Sequence, residues 1–192
     1  MTILILGLAL FLGVHSIGIL APAWPDRTAA RLGQGPWMGL YSLASLLGLV
    51  LIVWGYGQVR FDPTALYAPP LWTRHIALLL MVPVFPLLLA TYLPGRIQAA
   101  VGHPMLAAVK LWAFAHLLAN GNVADVILFG AFLVWAAADR ISLKGRTATV
   151  VPGAAAGKAN DWIALVAGLA LYVAFMGGVH LWLIGVSPLG LR

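Results

Sequence analysis

The sequence predicts an all-α fold, a polytopic membrane bundle of about six transmembrane helices, and three observations carry that prediction. Hydrophobic residues make up 62% of the 192 residues and charged residues only 8%, against roughly 25% charged in soluble domains. The apolar residues are gathered into runs of about 20, the length a bilayer core demands of a helix. The breaks between runs are rich in Pro, Gly, Asn and Arg, residues that end helices and form turns. The chain reads as one transmembrane domain, residues 1–192.

The first span covers about 3–21, "TILILGLALFLGVHSIGIL". Ala21-Pro22-Ala23 imitates a signal-peptidase site, but no Lys or Arg precedes the run and it outlasts a usual signal h-region, so it is read as a retained span. "APAWPDRTAARLGQGP" follows as a Pro/Gly/Arg-rich break, then span two at 36–57. "RFDPTALYAPP" holds three prolines and leads into span three at 72–93, where Pro83 and Pro86 predict a kink. A short basic break, "PGRIQAAVGHP", precedes span four at 103–120. Asn120-Gly121-Asn122 reads as the tight turn of a helical hairpin into span five at 122–140, with left-handed backbone at Gly or Asn. The polar stretch 141–160 reads as a mobile surface loop before span six at 161–185. Ala44/Gly48, Ala164/Gly168 and Ala174/Gly178 are small-residue pairs that let helices approach.

Trp24, Trp37, Trp54, Trp72, Trp162 and Trp182 fall near span ends, where amphipathic rings anchor at the interface; Trp112 and Trp135 lie deeper. An even number of spans puts both termini on one side. The opposite loops carry Arg27, Arg31, Arg96, Arg140, Lys144, Arg146 and Lys158, against Arg60, Arg74 and Arg192 on the terminal side. The positive-inside rule then places both termini outside the cytoplasm. The net charge of +6 is too sparse for a nucleic-acid surface; it suits membrane lipids with anionic headgroups.

The chemistry on offer is narrow. There is no Cys and no Glu, and only five Asp. Thiolate chemistry, Cys-based zinc or iron–sulfur sites and paired-carboxylate catalysis are set aside. Ionisable residues inside spans are costly and point to function. His75 and His103 sit at span ends, where headgroups wet them. Lys110 shares a stripe with His103 and can snorkel to the interface. That leaves His15, His116 and His180. His116 points about 120° away from Lys110, with Val109, Trp112, Ala113 and Asn120 on its side. Alone, such a histidine reads first as a core residue bonded to a carbonyl. A second deep histidine, His15, adds weight to imidazole ligation of a cofactor. Haem suits best, being apolar and needing one or two axial ligands. His15 and His116 differ by roughly 11 Å in depth at 1.5 Å per residue, so His180 or His75 stand as alternative partners for His116.

"HPMLAAVKLWAFAHLLANGN", followed by a span ending "WAAADR", resembles the NnrU family of bacterial membrane proteins. "FLGVHS", "RLGQGPWMGLYSLASLLGLVLIVWGY" and "GGVHLWLIGVSP" extend the resemblance over nearly the whole chain. The family is similar to plant and cyanobacterial 15-cis-zeta-carotene isomerase, a haem b membrane protein with histidine ligands. The resemblance implies haem b here, with His116 and His15 as the matching ligands and Trp112 and Asn120 beside the cofactor. It implies the bacterial cytoplasmic membrane, multi-pass, where the charge bias makes the termini periplasmic. It also implies a role in denitrification, with nitric oxide as a small gas ligand. The isomerase carries a histidine pair on the helix after the shared motif, where this chain has Ala, Phe and Trp; that weighs against isomerase activity more than against haem. A haem-dependent cis–trans isomerase of a carotenoid-like polyene remains the enzymatic alternative, and a cofactor-free accessory protein the other. "GHPM" is also similar to a motif of isoprenylcysteine-type methyltransferases, but the acidic pair those carry near the C-terminus is absent.

Overall fold

The computed structural model describes residues 1–145 and 153–189. Arg146 and Arg192, both used in the charge comparison, lie outside the described residues, as does the middle of the polar stretch 141–160. The chain is helical: α1 (Thr2–His15), α2 (Ile17–Leu20), α3 (Trp24–Leu32), α4 (Gln34–Val59), α5 (Leu71–Met81), α6 (Val84–Tyr92), α7 (Arg96–Val101), α8 (Pro104–Ala119), α9 (Val123–Ser142), α10 (Asn160–Ala174) and α11 (His180–Ile184), with a kinked segment, Phe175–Val179, between the last two. Among the described residues, three helical stretches are long and apolar enough to cross a membrane: Gln34–Val59, Leu71–Tyr92 and Asn160–Ile184. Thr2–His15 and Pro104–Ala119 are apolar but shorter. α9 has the length but carries Asp125, Asp139 and Arg140.

Two compact units emerge. The first comprises Met1–Ala68 and the stretch from Asn120 through α9; the second comprises Pro69–Ala119 and the stretch that includes α10 and α11. In the first unit, α1 lies directly against α4 because glycines remove the side chains between them. A methyl group at Gly7 would stand 2.6 Å from the Ile52 amide nitrogen, and one at Gly48 would stand 2.8 Å from the Phe11 nitrogen. Gly55 meets the Leu4 backbone in the same way. Gly48 and Gly55 are two turns apart, as are Leu4 and Phe11, so one contact pattern repeats along the pair.

The first predicted span is not one helix. At Ser16 (φ −85°, ψ −7°) the amide N–H is shared between the Leu12 and Gly13 carbonyls, which tightens the turn and separates α1 from α2. Nor is 22–35 simply a loop. Pro25 stands in the first turn of α3, where a missing N–H costs nothing, so this proline starts a helix rather than breaking one. The tight turn 120–122 also differs from expectation. Gly121 is not at positive φ. Its carbonyl instead accepts the Leu66 and Tyr67 amides, at 2.8 and 3.1 Å, and Val123 donates to Thr64, at 2.9 Å. Asp125, 3% exposed, accepts the Tyr56 hydroxyl at 2.5 Å and the Asn122 amide at 3.1 Å. This joins α4 to the start of α9.

In the second unit, Val84, Leu87 and Ala108 form a core, against which Met81, Leu111 and Trp112 pack. The prolines break span three as predicted. Pro83 has no N–H, and Val82 donates to Leu79 rather than to Leu78. The Leu78 carbonyl is thereby released from the helix ladder, and Tyr172 of α10 donates its hydroxyl to it at 3.0 Å. Gly168 of α10 touches the Pro86 backbone, and Ala164 is fully buried. The third small-residue pair does not pack this way. Gly178 faces open space and sits at φ +155°, at the kink between α10 and α11, where glycine is needed for its backbone rather than its size.

The described end of the 141–160 stretch is held in place. Ala154 donates to the Tyr92 carbonyl at 2.9 Å, and Asn160 donates to the Pro94 carbonyl at 2.8 Å. Asp161 accepts the Arg96 and Ile97 amides, each at 2.9 Å, capping the start of α7 from another helix.

Gly48→Ala is expected to lower stability by about 1–3 kcal/mol, the usual cost of overpacking. Gly13→Ala, which meets nothing within 4 Å, should be neutral or stabilising by up to about 1 kcal/mol. Thermal unfolding of the two variants in one detergent checks this. Tyr172→Phe, which strips the Leu78 carbonyl of its donor, should cost about 1–3 kcal/mol in the same assay.

Candidate histidine site

Three histidines share one local arrangement. His116 Nδ1 lies 2.8 Å from the Trp112 carbonyl, one turn back on α8. His15 Nδ1 lies 2.7 Å from the Phe11 carbonyl, one turn back on α1. His180 Nδ1 lies 2.7 Å from the carbonyl of Val186, just beyond α11. A carbonyl can only accept, so in each case Nδ1 carries the proton and Nε2 carries the lone pair. This is the arrangement that metal-binding imidazoles use: the outer hydrogen bond fixes the tautomer, sets the ring plane and raises the basicity of Nε2.

The structure brings His116 and His180 together within the second unit. Their ring centroids are 6.5 Å apart, with 25° between the planes. The two rings are stacked, close to parallel. His116 is half-buried between Ala113 and Ala115 neighbours that are themselves buried, and its ring lies 5.4 Å from Trp112. Trp112 in turn packs on the Val84–Leu87–Ala108 core. α8 therefore places His116 on a rigid element.

His180 arrives differently. The helix that carries it is broken just before it, at Gly178, whose φ of +155° and ψ of −22° are not helical, so α11 takes its direction from this kink rather than from α10.

His15 belongs to the first unit. Its ring stacks on Phe11 at 4.2 Å and meets Tyr41 at 5.5 Å and Trp135 edge-on at 6.0 Å. Trp135 Nε1 is buried and has no acceptor among the described residues. Beside this cluster lies an apolar cleft of about 460 Å³, lined by Leu12, Ser16 and Ile19 on one side and by Gly130, Val134 and Trp135 on the other.

The remaining sequence candidates fall elsewhere. His75 stands exposed on α5, and His103 is half-buried just ahead of α8. Lys110 is half-buried on α8. Asn120 lies past the end of α8, and its carbonyl accepts the Tyr67 hydroxyl at 2.8 Å. Sequence reasoning gives no hint of the aromatic cluster around His15 or of the Tyr56–Asp125 bond, whose partners are 69 residues apart. The signal available for Asp125 was its position three residues into a helix that begins after Asn122, a capping pattern.

Among the described residues, no three His, Cys, Asp or Glu side chains converge to hold a metal ion. A tetrahedral protein site for zinc is therefore not on offer there. A paired-imidazole donor set fits a haem, whose macrocycle supplies the other four nitrogens.

A family model described as NnrU protein matches residues 3–188. No curated protein and no solved structure matches the chain. The match covers nearly the whole sequence, and the chain belongs to the NnrU protein family.

Proposed function

We propose that this member of the NnrU family is a haem b protein of the bacterial cytoplasmic membrane, crossing it about six times, and that it supports nitrogen-oxide metabolism. In this reading His116 and His180 would hold the haem through their imidazoles. The observation that carries it is the 6.5 Å separation of the two rings, each with its Nδ1 proton committed to a backbone carbonyl. The termini lie on the periplasmic side, with Arg27, Arg31, Arg96, Arg140, Lys144 and Lys158 facing the cytoplasm.

The chain's own residues do two things here. The Trp112 and Val186 carbonyls hold the imidazoles in one tautomer and orient them. Trp112 and the core behind it keep α8 from shifting. When bound, haem would supply an iron that takes a diatomic gas such as nitric oxide in exchange for one of the two imidazoles, whose bond to the iron gives way.

A second reading has one observation of its own. The apolar cleft beside His15 and Trp135 has the chemistry to hold a polyene or similar apolar chain, as a cis–trans isomerase of a carotenoid-like lipid requires.

The absorption spectrum of the detergent-purified protein, oxidised and reduced, tests the first reading. A Soret band is expected. His116→Ala and His180→Ala should each lower haem content sharply, while His103→Ala and His15→Ala keep it. Loss of haem in His15→Ala with retention in His180→Ala would instead make His15 the partner of His116. A protein that stays colourless after incubation with excess hemin would remove haem from the account. Conversion of a tri-cis carotenoid precursor in a producing host, lost on Gly130→Leu in the cleft, is the outcome expected of the second reading.

A further inference from the structure

The short helix α3 has no part in either histidine cluster, and its surface is divided by chemistry. Pro25, Thr28 and Ala29 are half-buried, turned toward the protein. Arg27, Ala30 and Arg31 are exposed. Arg27 and Arg31 are four residues apart and so lie one above the other on a single helix face. The apolar residues that flank this basic face are also exposed: Trp24 at 47%, Leu32 at 50% and Leu20, on the preceding helix, at 81%. Trp24 meets Trp37 edge-on at 5.3 Å, which pins α3 to the first turn of α4. Gly33, at φ +89°, lets the chain swing from α3 into α4.

Two further basic residues stand at the same end of this unit. Ala138 of α9 lines the apolar cleft together with Leu20 of α2. Arg140 and exposed Lys144 follow directly after it. Four bases, Arg27, Arg31, Arg140 and Lys144, thus stand there beside the acids Asp26 and Asp139.

We infer that α3 is an interfacial helix that binds the headgroups of anionic phospholipids through Arg27 and Arg31, with Trp24, Leu20 and Leu32 immersed among the acyl chains below. A basic helix face bordered by exposed Trp and Leu is what a helix lying in the plane of an anionic leaflet needs. Amphipathic rings settle at headgroup depth, and each arginine near such a surface is drawn to it. The charge complementarity names the occupant. A free aqueous phosphate would use the arginines but leave the leucines and Trp24 in water, and an acidic protein partner would leave them without lipid.

The chain has no cysteine, so Ala30→Cys gives a single labelling site on the exposed face of α3. The labelled full-length protein is placed in vesicles of phosphatidylcholine and phosphatidylglycerol, with bromine quenchers carried on one lipid or the other. Brominated phosphatidylglycerol should quench the fluorophore several-fold more than brominated phosphatidylcholine. Arg27→Gln or Arg31→Gln should each reduce that preference about fivefold, the factor that about 1 kcal/mol per charge corresponds to. Both arginines are exposed, so the variants should fold, and an unchanged thermal midpoint confirms that. Equal quenching by the two lipids overturns the inference, as does a preference that survives both substitutions. Abolition of the preference by millimolar inorganic phosphate assigns the arginines to a free anion, and a fluorophore quenched by neither lipid leaves α3 outside the bilayer; either result also overturns it.

Discussion

A helix in an apolar solvent cannot leave a backbone carbonyl unanswered, and most of what is distinctive in this protein lies where the chain meets that constraint. Pro83 breaks a membrane-length helix and releases the Leu78 carbonyl, which the Tyr172 hydroxyl takes up from a different helix. The Gly121 carbonyl, in the turn after α8, receives two amides from 66 and 67. At the end of α11 the Val186 carbonyl is taken by a histidine ring. Each donor does more than satisfy an acceptor. Tyr172 ties α10 to the kinked pair α5–α6, and His180 has its tautomer fixed.

The same constraint explains how the histidines are prepared. An imidazole in water can protonate at either nitrogen or at both. In a helix the nearest strong acceptor is the carbonyl one turn back, and His15 and His116 both use it. The outcome is a ring whose Nδ1 edge is tied to its own backbone and whose far edge points away from it, a geometry that the helix imposes before any cofactor is considered. A buried core histidine would show the same bond. What separates His116 from that plainer role is the second imidazole at 6.5 Å.

Three of the six expected spans, 36–57, 72–93 and 161–185, coincide with helices long and apolar enough to cross a membrane, because hydropathy reads run length and composition directly. The kink in span three was legible too, since proline lacks the N–H that a helix needs at that point. The break at Ser16 was not, as no proline or glycine marks it and the cause is a shared amide bond. α3 was hidden by the ambiguity of proline, which ends a helix from within but begins one from its first turn. His116 stood out because nothing else in its segment accounts for it. His180 was legible as an alternative partner for His116, but spacing alone did not choose among it, His15 and His75. Tyr56 and Asp125 are too far apart in sequence for spacing to connect them.

The glycine seam between α1 and α4 acts as a length standard. With Leu4 and Phe11 seated on Gly55 and Gly48, α1 cannot slide by one residue without driving backbone into side chain. His15 is the last residue of that helix, about 16 Å from Leu4 along the axis. Its height beside Tyr41 is thus decided by glycines that never touch it. An insertion of one residue between Phe11 and His15 would leave the seam intact, yet carry the imidazole 1.5 Å along and about 100° around the helix. Hydropathy would hardly register the change, and the aromatic cluster would lose its centre.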